Sequence, residues 1–211
     1  MLENLKNLLD RAFPARSLVP IRNAVSEPKQ QPLHAMGLND FLNIDLPARE
    51  MLLNPILPER SLAMLYAPRG LGKSWLALSI GLTVAAGDSL LRWSAPRQRN
   101  VLYIDGEMPL VSLQERLKAI SFGFSEGIPN DGFRILAADQ VESGINLCAE
   151  EGQRSLELLL HDVDLLIVDN LSTLCTSGSE SASEAWVPMQ NCLLKLRRQG
   201  VALFCWYIML A

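Results

Sequence analysis

Short apolar runs recur along this chain, each bounded by turn formers, and the stretches between them carry helical rather than alternating periodicity. The runs Ser61–Tyr66, Asn100–Asp105, Phe133–Leu136, Asp164–Asp169 and Val201–Phe204 read as five strands. Asp164–Asp169 is apolar between its two acids, as a strand buried on both faces of a parallel sheet must be. Helices are predicted over Trp75–Ala86, closed by Gly87, and over Leu110–Ile120, with Pro109 near its first turn. Two more follow, Glu150–His161 and a helix that opens on the capping box Ser181-Ala-Ser-Glu184, runs to about Gln199 and stops at Gly200. A short helix is expected over Ala48–Leu53, after Pro47. Strands alternating with helices predict an α/β fold with a mostly parallel, doubly wound sheet and right-handed crossovers.

Outside that alternation the pattern changes. Leu2, Leu5, Leu8, Leu9, Ala12 and Phe13 lie on one helical stripe that Pro14 stops. Pro14 to Gly37 is polar and proline-bearing and reads as a linker. Two parts result: residues 1–37, helix and linker, and residues 38–211, the α/β domain. The serine-rich segment Ser172–Ser183 reads as a loop, and the turn carrying Arg92, Arg97 and Arg99 as a solvated one.

The candidate chemistry begins where the first strand meets the first long helix, at Ala67-Pro68-Arg69-Gly70-Leu71-Gly72-Lys73-Ser74. A strand, a glycine-bearing loop ending in Gly-Lys-Ser and a helix form the context of a phosphate-binding P-loop. Gly70 and Gly72 let successive backbone N–H groups converge on phosphate oxygens, and the helix N-terminus adds its dipole. Lys73 would reach the β- and γ-phosphates, and the Ser74 hydroxyl would ligate Mg²⁺. Ala67 stands where the usual pattern opens with glycine, an accepted variant. The alternative is a chance Gly-Lys-Ser at a helix start.

Leu165-Leu-Ile-Val-Asp169 has the form of a Walker B strand, whose acid would hold Mg²⁺ beside Ser74. Both motifs then fall at the carboxyl edge of the sheet, where such folds bind ligands. Glu107 follows the strand between them and is a candidate base for the attacking water. Asp105 competes for that role, and a surface ion pair would account for either acid; position favours Glu107.

Composition narrows the function classes. Of 211 residues, 49% are hydrophobic and 20% charged, which places the chain among globular proteins. A formal net charge of -4 argues against a globally basic nucleic-acid binder but not against a local basic patch. Cys148, Cys175, Cys192 and Cys205 show no C-x-x-C spacing and read as buried thiols rather than a zinc site or disulfide framework. No signal peptide or membrane-length apolar run is evident, so the expected place is the cytoplasm.

Tyr103-Ile-Asp-Gly-Glu-Met-Pro109, the Pro68–Trp75 loop and Ile167-Val-Asp-Asn-Leu-Ser172 together resemble the RepA-type plasmid helicase ATPases. These belong to the RecA-like hexameric P-loop group often labelled AAA family ATPases. The likeness runs from about Asp40 to Phe204 and includes Trp186 and Leu196-Arg-Arg-Gln-Gly200. It implies a RecA-like fold, binding of ATP and Mg²⁺, hydrolysis with Glu107 as base, and a homo-oligomeric ring moving on single-stranded DNA. The Ser172–Ser183 loop would lie near the ring's channel, although it carries no basic or aromatic stacking pattern of its own.

The chain departs from that family at its end. Members continue the fifth strand into Val-His-His-Ala-Gly, with a γ-phosphate-sensing histidine and, later, arginines acting in trans. This chain reads Trp206-Tyr-Ile-Met-Leu-Ala211. The codons TGG TAC ATC ATG CTG GC, read from their third base, become GTA CAT CAT GCT GGC, which is Val-His-His-Ala-Gly. The expectation is a one-base frameshift just before Trp206 that truncates a longer helicase ATPase; the alternative is a genuine apolar strand. Loss of an arginine finger alone can cost ~10³-fold in rate, so the expected turnover is weak. A second reading is a nucleotide-binding module without turnover, serving as a regulatory or assembly subunit. A P-loop kinase is disfavoured, because no arginine-rich lid insertion is present.

Overall fold

The computed structural model describes residues 34–68, 70–124, 127–175 and 182–208. Its contacts divide the chain into two units, Met1–Leu46 and Pro47–Ala211. The described part of the first unit holds one short helix, α1 (Leu38–Leu42), with no buried residue. The predicted helix over residues 1–13 and most of the linker lie outside the described residues.

In the second unit, five parallel strands form the central sheet: β3 (Leu62–Ala67), β6 (Val101–Asp105), β7 (Phe133–Ala137), β8 (Leu165–Asp169) and β9 (Ala202–Ile208). Two hairpin-like pairs accompany them, β1 (Met51–Leu53) with β2 (Leu57–Pro58), and β4 (Ser89–Leu90) with β5 (Trp93–Ser94). The order across the main sheet is β3-β9-β8-β6-β7, so β9 lies between the P-loop strand and the strand ending in Asp169. The helices are α2 (Lys73–Ala86), α3 (Leu110–Ser121), α4 (Glu150–Leu159), α5 (Leu171–Leu174) and α6 (Ala182–Arg198).

Period-two alternation explains why the central strands are apolar throughout. Val101, Tyr103, Leu165, Ile167, Ala202 and Phe204 enter one core with α2. Their neighbours Leu102, Ile104, Leu166, Val168, Leu203 and Cys205 enter a second core with α4 and α6. Both faces are therefore covered, and a polar alternate position would be buried without a partner.

Three expectations are corrected. Residues 51–53, expected in a helix, form β1, because they pair antiparallel with Leu57–Pro58, and the bridge from Asn54 to Ser94 (2.8 and 3.3 Å) extends that pairing. Tertiary pairing overrides local propensity here. The loop expected from Ser172 is helical up to Leu174, because Asn170 caps α5, and Ala182–Ser183 already belong to α6; residues 176–181 lie outside the described residues. Arg99 is not solvated. Its side chain is only 9% exposed and pairs with Glu50, Glu59 and Asp164, tying the strand starts together at the edge away from the P-loop.

The last strand is longer than expected. Over Trp206–Ile208 it continues in parallel register with Leu65–Ala67 of β3. Cys192 and Cys205 are buried as anticipated, while Cys148 and Cys175 are half-buried. Among the described residues, no helix is long and apolar enough to cross a membrane.

Candidate nucleotide site

The loop after β3 is shaped by two glycines. Gly70 and Gly72 adopt φ of 83° and 77°, the left-handed region that a side chain disfavours. Helix α2 then starts at Lys73, and Gly72 supplies no capping side chain, so the first-turn N–H groups are left for an incoming acceptor. The Lys73 ammonium folds back over the loop, donating to the carbonyls of Ala67 (2.9 Å) and Pro68 (2.6 Å). Arg69 lies outside the described residues, and Leu71 points its apolar side chain to solvent, 69% exposed.

Register brings the acids to the same edge. Asp105 and Asp169 are direct partners at the carboxyl ends of β6 and β8. Asp169 is buried, and it accepts hydrogen bonds from the Tyr103 hydroxyl at 2.5 Å and from the Ser74 hydroxyl. Burial pushes its carboxyl above the usual range, while these two donors pull it down. The same burial, with the Asp169 charge beside it, raises the Tyr103 phenol well above its ordinary value.

Asp105 and Glu107 divide differently from their neighbours. Asp105 is 2% exposed, and burial raises its carboxyl to about 6, against the lowering pull of its hydrogen bonds. Those bonds come from the backbone N–H groups of Met108 (2.6 Å) and Glu107 (3.1 Å), so this carboxylate is committed to shaping the turn. Glu107 is exposed to the cleft, and its Oε2 accepts a 2.6 Å hydrogen bond from the Asn170 side-chain amide. The Asn170 carbonyl oxygen in turn accepts from Ser172 Oγ (2.5 Å) and Thr173 N (3.1 Å), which caps α5 and locks the amide's orientation.

Lys73, Ser74, Glu107, Asp169 and Asn170 line a cleft of about 330 Å³. Arg116 of α3 also reaches it, with its guanidinium carbon 5.5 Å from the centre of the Trp75 ring. The structure thus assembles Lys73, Ser74, Glu107 and Asp169 from three separate chain segments. Sequence reasoning missed Tyr103, Asn170 and Arg116 as members of the site. Tyr103 could have been suspected, since a buried phenol needs a polar partner. Asn170 could have been read as a helix cap from the Asn-Leu-Ser-Thr order; nothing local flags Arg116.

A left-handed glycine loop running into a helix, beside an acid at the end of a buried parallel strand, defines a P-loop nucleotide-binding protein. The chain belongs to the AAA domain family, whose family model matches residues 27–206. No curated protein matches the sequence. Among solved structures, the chain is similar to the flagellar accessory protein FlaH from Methanocaldococcus jannaschii, with a TM-score of 0.53 at 10% identity. That match covers 72% of this chain and 62% of the FlaH chain, and it supports the RecA-like fold.

Proposed function

We propose that this protein hydrolyses ATP with Mg²⁺ and is a motor ATPase of RepA type, working as a homo-oligomeric ring on single-stranded DNA. The observation that carries the hydrolytic part is the placing of Glu107: a carboxylate open to the cleft, held by the Asn170 amide, in the same cleft as Lys73 and Ser74. In this reading Lys73 leaves its own loop carbonyls for the β- and γ-phosphates, and the loop N–H groups from Gly70 to Ser74 cradle the phosphate oxygens. Ala67, Pro68, Arg69 and Leu71 supply backbone to the same loop. Glu107 takes the proton of the attacking water, while Asn170 fixes the carboxylate's direction. Asp105, spent on its own turn, takes no part.

The donor set fits Mg²⁺. Among the described residues no group of three or more His, Cys, Asp or Glu could hold a metal by itself. The Ser74 hydroxyl and the Asp169 carboxylate, already hydrogen-bonded to each other, are the sparse oxygen pair that Mg²⁺ uses when phosphates and waters complete its shell. When bound, the ion would neutralise developing phosphate charge.

The RepA-type resemblance supports the DNA-coupled part of the reading. The decisive assay is phosphate release with and without single-stranded DNA, on the wild type and on Lys73→Ala. Release that rises with DNA and vanishes in Lys73→Ala supports the motor reading. ATP binding with no turnover and no response to DNA would identify a nucleotide-binding module instead.

A further inference from the structure

Each acid in or beside the cleft already has a partner, and Arg116, the one arginine among the described residues that line it, is not one of those partners. Asp169 is held by Tyr103 and Ser74, Glu107 by Asn170, and Asp105 by two backbone N–H groups. Among the described residues, the Arg116 guanidinium makes no hydrogen bond or ion pair; its neighbour is the indole of Trp75, 5.5 Å from centroid to guanidinium carbon. Trp75 stands in the first turn of α2, directly after Ser74, and is 43% exposed. Arg116 is half-buried on α3. Arg116 nonetheless lines the same cleft as Lys73, Ser74, Glu107 and Asp169.

We propose that Trp75 is a positioning residue that holds the Arg116 guanidinium over the phosphate cleft, and that the pair selects nucleoside triphosphate over diphosphate. The inference rests on the nucleotide-binding reading above. The indole face attracts the cation without consuming any N–H donor, because the attraction is to the ring's quadrupole. All five donors of the planar fork stay available for the oxygens of an anion. A bidentate ion pair with a carboxylate would have occupied two of them; Glu107, the exposed acid of the cleft, instead accepts from the Asn170 amide. The Trp75 ring also limits where the long arginine side chain can go, so less rotamer freedom is lost when a terminal phosphate is met. A diphosphate, seated in the P-loop by its own phosphates, lacks the group this arginine would contact.

The test is isothermal titration of the full chain with ADP and with a non-hydrolysable ATP analogue, both with Mg²⁺, for the wild type, Trp75→Leu, Trp75→Phe and Arg116→Ala. Thermal melts check that each variant is folded. The expected result is a triphosphate preference in the wild type that falls roughly 10-fold or more in Arg116→Ala, the loss of a charge-assisted contact. Trp75→Leu should lower the triphosphate affinity about 2- to 5-fold with ADP unchanged, and Trp75→Phe should restore most of it by returning a π face. A merely structural role for Trp75 would weaken both ligands equally. An unchanged ratio in Trp75→Leu or in Arg116→Ala overturns the proposal while leaving nucleotide binding intact. If the wild type binds neither nucleotide, the reading beneath it falls as well.

Discussion

The Asn170 side-chain amide donates a 2.6 Å hydrogen bond to the Glu107 carboxylate, joining the turn after β6 to the turn after β8. The same Asn170 caps α5 through its other side-chain atom, accepting from Thr173 N. One side chain therefore sets both the start of a helix and the direction of an acid. Glu107→Gln should lower turnover by about 10²–10⁴-fold with ATP affinity retained, since only proton acceptance is lost. Asn170→Ala should lower turnover less and also cost about 1 kcal/mol of stability through the lost cap. Steady-state kinetics beside denaturant unfolding separate the two; equal stability losses in both variants would contradict this division of roles.

Much of this architecture was legible because its causes are local. The strand of Leu165–Asp169 announces itself by a run of apolar residues that only two covered faces can explain. The P-loop announces itself by glycines ahead of Lys73 and Ser74, and the acid positions follow from strand ends. What was not legible depends on pairing between distant segments. Nothing near Arg99 shows that three acids from three segments will bury it. At Met51–Leu53 the strand partner, Leu57–Pro58, is close by, and only the bridge from Asn54 to Ser94 comes from a distant segment. Tyr103, a phenol within an apolar strand, calls for a polar partner, but that the partner is Asp169 emerges only when β6 lies beside β8 in register.

Gly106, between the structural acid and the candidate base, offers a test of how tightly the turn is packed. A Cβ there would stand 2.4 Å from Thr173 Oγ1 and 2.6 Å from Leu174 Cγ. Its N–H also donates to the Asp169 carbonyl at 2.7 Å, so the turn cannot swing away without breaking that bond. Gly106→Ala should therefore destabilise the fold by roughly 1–3 kcal/mol, the usual cost of overpacking. Displacement of α5 should also loosen the Asn170 hold on Glu107, lowering turnover beyond the stability effect. Urea unfolding reads the first expectation, and kcat at a temperature well below the melt reads the second. A variant as stable as the wild type would show that α5 yields easily.

Asp105 gives the fold a pH dependence of definite sign. Its carboxyl is raised in the folded state from an ordinary 3.8 to about 6, chiefly by burial, so between those values the folded protein binds the proton more tightly than the unfolded chain. Stability from this group is thus greatest below about pH 4 and declines as pH rises through about 6. The two-unit difference corresponds to roughly 3 kcal/mol at most. Asp105→Asn should remove that decline, because the amide oxygen can still accept from the N–H groups of Glu107 and Met108 while carrying no charge to desolvate. The variant should be at least as stable as the wild type at pH 7.5 and should lose its advantage toward pH 4.5. Denaturant titrations of both proteins at pH 4.5, 6 and 7.5 give the comparison. A wild type that gains stability relative to the variant as pH rises would mean that the ionised carboxylate is the form the turn prefers.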